Sequence, residues 1–240
     1  MELTELKDRI IKSFNGPEEH LHAVLQIVAA DRSIYPFNEY EHLISSLINT
    51  GGLTYQQYLE IRSEYISENP NLWIFEISAP RGFGEGFAQT YVQGKCSKLK
   101  KASKKLDPNF AGEYDLWLDG IKIEVKASRA VDSDIEAPLY VRALSRNTKK
   151  NFLMNFQQLK PQCCDVFVWV AVFRDEIVLW VINTNTVKEH GLYTDGQHRH
   201  NYGNEGQLHI NQSNIDQFNI YQLKDNNIEQ AIIDAAKLNA

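Results

Sequence analysis

A predicted β-hairpin between Gly112 and Ser128 constrains the fold of this chain more than any other segment. The segment reads GEYDLWLDGIKIEVKAS, with Asp119-Gly120 at its centre. This dipeptide is one that a two-residue type I′ turn prefers, because both turn positions need φ > 0. Around such a turn Asp115 is expected to lie opposite Glu124, so that two carboxylates meet across the two strands.

The hairpin has one polar and one apolar face, since the side chains of a strand alternate with period two. The polar face is predicted to carry Glu113, Asp115, Trp117, Lys122, Glu124, Lys126 and Ser128. The face expected to pack on the core carries Tyr114, Leu116, Leu118, Ile121, Ile123, Val125 and Ala127. The register also places Glu113 opposite Lys126. A solvent-facing ribbon with a Glu113–Lys126 surface pair is the structural alternative to a functional site.

The opposed carboxylates of Asp115 and Glu124 indicate a cation. Such a pair lies about 4.5–5.5 Å apart at Cβ, where like charges are destabilising. Lys126 supplies one positive charge on the same face, and a divalent cation compensates the pair better. Mg²⁺ takes one or two carboxylates, keeps several waters and bridges to phosphate oxygens. Lysine pKa values fall readily near charge and on burial, so the residue types suit metal-assisted hydrolysis of a phosphodiester.

The pattern of Asp115, Glu124 and Lys126 resembles the D…(D/E)-x-K signature of the PD-(D/E)xK nuclease superfamily. The whole chain is similar to the type II restriction endonucleases of that group. The resemblance implies that Asp115, Glu124 and the main-chain carbonyl of Val125 bind Mg²⁺, and that Lys126 serves the attacking water. Tyr114 stands where the signature has proline.

The same resemblance implies a fold and an activity. The expected fold is mixed α/β (α+β), a nuclease core with a mixed central sheet flanked by helices, together with an N-terminal helical subdomain. The expected activity is Mg²⁺-dependent hydrolysis of both strands of duplex DNA at a short specific site, leaving 5′-phosphates. The oligomeric state is left open between a monomer and a two-fold homodimer, which a palindromic site would favour.

A long helix is predicted from Gly84 to Lys105, just before the hairpin. Its apolar stripe comprises Phe83, Phe87, Tyr91, Cys96 and Leu99. Family members place a helix here, and a glutamate on it can face the metal site, which makes Glu85 a catalytic candidate. Gln89, one turn further on, is a weaker one. A solvated glutamate stabilised by the helix dipole is the alternative for Glu85.

Several basic and polar residues are candidates for DNA contacts. Clustered lysines favour phosphate contacts, and the alternative is a solvated helix end. The candidates of this kind are Lys98, Lys101 and Lys104, with Arg81 in the preceding loop. The polar segment 192–209 has the composition of a base-reading loop, because Arg pairs with guanine and Asn or Gln with adenine. Its candidates are Gln197, His198, Arg199, His200 and Asn201, with an ordinary surface loop as the alternative.

The remaining elements follow from apolar patterning. Continuous apolar residues predict a strand buried on both faces over 166–173 and a second strand over 177–182. A helix is expected before this pair, near the basic residues Arg142, Arg146, Lys149 and Lys150. Further predictions are helices over 1–14, 17–30, after Asn38, after Thr54 and over 227–238, and an edge strand over 218–223. The predicted domains are 1–77 (helical), 78–183 (nuclease core) and 184–240 (DNA contact and packing).

Composition adds limits on the functional class. A chain of 240 residues with 43% hydrophobic content can bury one substantial core. The absence of a long apolar run predicts no membrane partner, and the odd cysteine count with adjacent Cys163 and Cys164 favours a reducing cytoplasm. Duplex DNA is the expected partner, and no small-molecule cofactor is expected. The net charge of −6 is mild evidence against a dedicated nucleic-acid binder.

Three other functions are compatible with the hairpin. A repair or recombination nuclease of the same superfamily would read DNA structure instead of sequence. A non-enzymatic DNA-binding module would leave the carboxylates structural. A glycoside hydrolase would use the Asp/Glu pair as acid and base, with carboxyls about 5–9.5 Å apart beside an aromatic-lined cleft. Trp117 is the single aromatic residue on the predicted polar face, so this last function ranks lowest.

Overall fold

The computed structural model of the chain describes residue 19, residues 41–196 and residues 205–238. The chain divides into two compact units, residues 1–55 and residues 56–240. The predicted helices over 1–14 and 17–30 lie outside the described residues, as do the candidate base-reading residues Gln197, His198, Arg199, His200 and Asn201. The predicted domain boundaries stay a prediction.

Six α-helices are described. They are α1 (Glu41–Asn49), α2 (Tyr55–Glu68), α3 (Leu72–Phe75), α4 (Thr90–Gly94), α5 (Thr184–Glu189) and α6 (Ile228–Lys237). A π-helix spans Gly82–Gln89 and runs directly into α4, and two 3₁₀-helices span Pro161–Cys163 and Ile215–Tyr221. The predicted helices after Asn38 and Thr54 are confirmed. The predicted C-terminal helix is also confirmed, with the Asn227 side chain accepting from the Gln230 N–H as its N-cap.

Two β-sheets lie in the second unit. The strands are β1 (Lys100–Lys101), β2 (Leu116–Leu118), β3 (Ile121–Arg129), β4 (Val131–Asp132), β5 (Phe152–Leu159), β6 (Val166–Val172), β7 (Ile177–Asn183), β8 (Tyr193–Asp195) and β9 (Gly206–Asn211). Sheet 1 has the order β1-β2-β3-β6-β7, and sheet 2 has the order β4-β5-β9-β8. Only the β3–β6 pair is parallel among these described strands, so sheet 1 is mixed. The predicted mixed α/β architecture, with a mixed sheet flanked by helices, is confirmed at that level.

The main core forms where sheet 1 faces sheet 2. Every residue of β6 is buried, as the continuous apolar run predicts. Trp169 of β6 stacks on Phe156 of β5 with ring centroids 4.6 Å apart. Lys126 of β3 is the register partner of Trp169 of β6, and register partners project from the same face of a sheet. The polar side chains of β3 therefore lie at the edge of this same interface. No helix of the described residues is long and apolar enough to cross a membrane.

The predicted hairpin turn is confirmed. Leu116 pairs with Ile123 and Leu118 with Ile121, which is the register that the Asp119-Gly120 dipeptide predicts. Asp119 has φ +46° and Gly120 has φ +101°. Both turn residues therefore occupy the left-handed region, as a type I′ turn requires.

The predicted helix over 84–105 is confirmed as far as Gly94 and is wrong beyond it. Its first half is a π-helix, and helical structure ends at Gly94. The lysine-rich segment that follows is a turn leading into β1, whose Lys101 pairs with Leu116 at the edge of the hairpin. Gly94 is a poor helix residue, and the free edge of β2 offers the chain a hydrogen-bonding partner that the local pattern does not reveal.

Two further predicted elements are also wrong. No helix is described between the hairpin and β6 except the short 3₁₀-helix at Pro161–Cys163, and strand β5 occupies the place. The alternation of buried Phe152, Met154 and Phe156 with more exposed residues has the period of a strand. The predicted edge strand over 218–223 is wrong for its first four residues, which belong to the 3₁₀-helix at Ile215–Tyr221, while Gln222 forms an isolated antiparallel bridge with Trp180 of β7.

Gly206 in β9 is a position where sheet 2 tolerates no side chain. A Cβ added there would lie 2.6 Å from the Thr194 carbonyl oxygen and would overlap the Tyr193 ring. We expect Gly206→Ala to lower the free energy of unfolding by roughly 1–3 kcal/mol through overpacking. Urea denaturation measures the effect, with Gly94→Ala as the control, since the Cβ that it would add meets no atom within 4 Å beyond its chain neighbours and the backbone of its own helix. Equal stability of the two variants would contradict the packing at Gly206.

Candidate active site

Strand β2 departs from β3 at Asp115. The Asp115 N–H donates to the Ile123 carbonyl at 3.0 Å, and regular pairing ends at Leu116. The Val125 N–H of β3 donates to Asp115 Oδ2 at 2.8 Å, so a side-chain carboxylate takes the place of a main-chain acceptor. The Asp115 carboxylate is thereby fixed against the exposed edge of β3, at the point where the two strands separate.

The predicted Glu113–Lys126 pair is wrong because the hairpin does not continue in register past Asp115. Glu113 Oε2 accepts a hydrogen bond from the Ala111 N–H at 2.6 Å. Lys126 Nζ instead lies 2.7 Å from Glu124 Oε1. Lys126 is therefore held beside the candidate catalytic carboxylate, and the alternative of a simple surface ribbon does not describe its environment.

Glu124 and Lys126 lie on one face of β3 and are mostly inaccessible to solvent. Glu124 is 8% exposed, and the Lys126 side chain is 19% exposed. A buried charged pair of this kind is a weak source of stability, because desolvation offsets much of the attraction. Its burial beside a second carboxylate indicates a functional site more than a structural one.

The electrostatics of Asp115 and Glu124 favour a bound cation. Burial raises the pKa of Asp115, although the hydrogen bond from Val125 and the charge of Lys126 lower it. Burial raises the pKa of Glu124 to about 7; Lys126 opposes this shift, and the nearby Asp115 carboxylate adds to it. Each carboxyl contributes to the pKa shift of the other, so the two groups lie close together. Lys126 offsets only part of the cost of ionising this pair, because both pKa values stay raised, and a divalent cation would offset the rest.

Gln89 makes the direct contact between the helix and the carboxylates. Its Nε2 donates to Asp115 Oδ1 at 2.6 Å, so both oxygens of Asp115 accept hydrogen bonds. Glu85 acts on Asp115 only through its charge, which raises the pKa of Asp115, and its side chain is 58% exposed beside Arg81. The sequence favours Glu85 over Gln89 as the residue that acts on the site, whereas Gln89 makes the direct contact with Asp115. Their spacing of four residues was the signal that both face the same way.

The π-helix places Glu85 and Gln89 toward the hairpin. It covers eight residues and contains three glycines, Gly82, Gly84 and Gly86. A Cβ at Gly84 or Gly86 would meet no atom within 4 Å beyond its chain neighbours and the backbone of the helix itself, so this flank of the helix is open. Single π-turns occur frequently at functional sites, and this widened segment carries both helical groups that act on Asp115.

The donor set at the hairpin fits Mg²⁺ chemically. Asp115 and Glu124 contribute carboxylate oxygens, and the Val125 carbonyl points to the same side of β3 as its N–H, which is the side of Asp115. Oxygen donors in this number, completed by waters, are what Mg²⁺ takes in proteins. Within the described residues no group of three or more His, Cys, Asp or Glu side chains is arranged to hold a metal ion. A metal-binding role for Glu85 stays a prediction.

The basic candidates for DNA contact lie in different parts of the structure. Lys101 adjoins Ala102, whose N–H donates to the Asp115 carbonyl at 2.9 Å, and Lys104 is exposed in the turn that follows. Arg81 is 86% exposed and pairs with Glu85 at 3.3 Å. Lys98 lies toward the turn end of the hairpin and forms an ion pair of 2.6 Å with Glu229 of α6. Lys101, Lys104 and Arg81 are thus better placed for the site than Lys98.

Comparison with protein-family models and with curated proteins gave no match. Function is therefore inferred from the geometry of Asp115, Glu124 and Lys126.

The raised pKa of Glu124 predicts that stability depends on pH. Folding favours the protonated carboxyl, because its pKa rises from 4.5 to about 7. Its contribution to stability is therefore complete below pH 4.5 and is lost as pH rises to about 7, a fall of about 3 kcal/mol. Urea unfolding between pH 4.5 and pH 8 is expected to show this fall in the wild type and to show less of it in Glu124→Gln. Exposed Glu136→Gln is the control, and parallel curves for Glu124→Gln and the wild type would contradict the assignment.

Proposed function

We propose that this chain is a Mg²⁺-dependent endodeoxyribonuclease of the type II restriction class, with the core of the PD-(D/E)xK superfamily. The observation that carries the proposal is the half-buried Asp115 beside the buried Glu124, with Lys126 2.7 Å from Glu124 at the edge of β3. Two close carboxylates and a lysine beside them suit metal-assisted hydrolysis of a phosphodiester. The substrate is duplex DNA, cleaved in both strands at a short sequence to leave 5′-phosphates.

Each residue of the site has a defined role in this proposal. Asp115, Glu124 and the Val125 carbonyl would hold Mg²⁺. The ion supplies positive charge that polarises the scissile phosphate and lowers the pKa of the attacking water. Lys126 orients that water and offsets negative charge developing on the phosphate. Gln89 fixes the Asp115 carboxylate through its hydrogen bond to Oδ1, so that the carboxylate keeps its position against β3.

The positive residues nearest the hairpin support phosphate contacts. Lys101 is exposed in β1, the strand added beside Asp115, and Lys104 is exposed in the turn that follows. They would contact the DNA backbone and position it without reading its sequence. The chain's net charge of −6 makes a localised basic edge necessary, since the molecule as a whole does not attract DNA.

A glycoside hydrolase is disfavoured by the lysine beside the carboxyls. Lys126 Nζ lies 2.7 Å from Glu124 Oε1, and a pair of carboxyls acting as acid and base on a sugar leaves it without a clear role. Trp117 is partly buried against the hydrophobic core, so it does not line an open sugar cleft. A nuclease that reads DNA structure remains the main alternative within the proposed chemistry.

Digestion of a long duplex DNA with Mg²⁺ tests the proposal. Discrete fragments with ligatable 5′-phosphate ends are expected, and chelation of the metal should abolish them. A smear that also requires Mg²⁺ would retain the hydrolytic chemistry and replace sequence recognition by recognition of DNA structure. Binding of DNA without any cleavage would contradict the enzymatic proposal and leave a DNA-binding module.

A further inference from the structure

A hydrogen bond between Tyr114 and Asp107 holds the chain immediately before Asp115. The Tyr114 hydroxyl donates to Asp107 Oδ2 at 2.9 Å, and Asp107 Oδ1 accepts from the Asn109 N–H at 3.0 Å. Both Tyr114 and Asp107 are buried. The hydrogen bond from Tyr114, together with that from the Asn109 N–H, lowers the pKa of Asp107. Asp107 is therefore an anion at neutral pH, which makes its hydrogen bond with Tyr114 a charge-assisted one.

This contact braces a loop that begins at Ala102 and ends at Asp115. Across the ends of the loop, the Ala102 N–H donates to the Asp115 carbonyl at 2.9 Å. Inside the loop, the side chains of Asp107 and Tyr114 join one residue before Asp115. The ring of Phe110 packs edge-on against that of Tyr114, with their centroids 5.0 Å apart. The chain that enters Asp115 is thus fixed by side chains as well as by the main chain.

The position of the Asp115 carboxylate depends on this support. Regular pairing of β2 with β3 ends at Leu116, so the strand ladder does not hold Tyr114. From this unpaired stretch the Asp115 carboxylate reaches the Val125 N–H at 2.8 Å. A rotation of the chain at Tyr114 would move the carboxylate away from β3. Because a metal site needs its ligands held to within about 0.5 Å, such a movement would weaken it.

We propose that Tyr114 is a positioning residue, whose hydrogen bond to Asp107 fixes the Asp115 carboxylate where it would bind Mg²⁺. This proposal rests on the proposed nuclease function, since the cation belongs to that function. Tyr114 acts through Asp115 and needs no contact with the cation or with DNA. Its loss should therefore weaken metal binding while leaving every catalytic group in the chain, so that excess Mg²⁺ restores cleavage.

The test is Tyr114→Phe, which keeps the buried ring and removes the hydroxyl. The Mg²⁺ concentration that gives half of the rise in Tm is expected to increase about tenfold, the lower end for partners that orient metal ligands. Cleavage should fall at limiting Mg²⁺ and return to near the wild-type rate at saturating Mg²⁺. Without metal, hydrogen exchange of the Val125 amide should become about tenfold faster relative to the β6 amides, because one charge-assisted hydrogen bond no longer supports its acceptor.

Two variants serve as controls. Lys122→Met removes a different contact to the same carboxylate oxygen, since Lys122 Nζ lies 3.5 Å from Asp107 Oδ2. Tyr221→Phe removes a phenol hydroxyl from another ring that packs against the same hydrophobic core. Neither change should alter the Mg²⁺ requirement or the exchange of the Val125 amide.

The outcomes separate this proposal from the nuclease function. If the wild type binds Mg²⁺ and cuts DNA, and Tyr114→Phe shows an unchanged Mg²⁺ requirement or unchanged relative exchange at Val125, the role of Tyr114 is overturned and the nuclease function stands. Equal acceleration of exchange at Val125 and in β6 would be a general loss of stability, and it would also overturn the positioning role. If the wild type neither binds Mg²⁺ nor cuts DNA, both proposals fail together.

Discussion

Replacement of Asp115 by asparagine is expected to abolish Mg²⁺-dependent DNA cleavage while leaving the fold intact. The amide has nearly the same shape and retains one oxygen near the Gln89 and Val125 donors. It removes the charge that would hold the cation. Charge stabilisation by a metal ion amounts to several kcal/mol, and about 1.4 kcal/mol is a factor of ten in rate. We therefore expect a loss of about 10³-fold or more in the cleavage rate.

Thermal unfolding separates this loss from a general defect of the Asp115→Asn protein. Without metal, the variant should be at least as stable as the wild type at pH 8, because it removes the repulsion between Asp115 and Glu124. Addition of Mg²⁺ should raise the Tm of the wild type and leave that of the variant unchanged. Asp119→Asn is the matched control, since Asp119 lies in the exposed turn of the same hairpin and asparagine suits a type I′ turn.

Replacement of Lys126 by methionine is expected to lower cleavage by about 10²- to 10⁴-fold, the range typical of removing a positioned group that serves proton transfer. Methionine keeps the length and apolar stem of the side chain but removes the ammonium group beside Glu124 Oε1. The loss should appear in kcat, because the role proposed for Lys126 is on the water and the phosphate and not in DNA binding. The Mg²⁺-induced rise in Tm should persist, since Asp115 and Glu124 remain.

Lys122→Met is the control for Lys126→Met. Lys122 lies on the same strand and the same face, but its Nζ is 3.5 Å from Asp107 Oδ2 and its side chain is 37% exposed. Its replacement is expected to leave kcat within about twofold, as for most surface substitutions. Simultaneous loss of cleavage and of the Mg²⁺ response in Lys126→Met would show that Lys126 supports the carboxylates and does not serve the reaction.

Local signals predicted the hairpin, and a tertiary contact modified it. Asp119-Gly120 fixes the turn, and the alternation around it fixes the register as far as Leu116. The departure at Asp115 depends on the Val125 N–H taking a carboxylate oxygen instead of a main-chain carbonyl. The sequence of β3 alone does not specify which acceptor the Val125 N–H takes. The side-chain carboxylate and the main-chain carbonyl that compete for it both lie outside β3.

The missed elements have similar causes. Strand β1 forms because the edge of β2 is available, so the lysine-rich segment adopts a conformation that its own composition does not indicate. The 3₁₀-helix around Phe218 is fixed by packing, since its ring lies 5.6 Å from Trp180 and 5.0 Å from His190. Strand β5 is different, because the alternation of Phe152, Met154 and Phe156 was present in the sequence and indicates a strand.

The candidate site was predictable as a set of residue types and less so as a set of contacts. Asp115, Glu124 and Lys126 come together as the hairpin predicts, although Lys126 pairs with Glu124 and not with Glu113. Because a carboxylate suits a metal site better than an amide, the sequence favoured Glu85 over Gln89 as the helical residue of the candidate site. The contact of Gln89 with Asp115 depends on the π-helical winding of the segment, which an apolar stripe does not reveal.

Conversion of supercoiled plasmid DNA by the wild type, Asp115→Asn and Asp119→Asn at equal Mg²⁺ concentration tests the central claim most directly. The wild type and Asp119→Asn are expected to cut the plasmid, with chelation stopping both, and Asp115→Asn is expected to leave it supercoiled. Cleavage by Asp115→Asn at the wild-type rate would contradict the assignment of the β2–β3 hairpin as the catalytic centre.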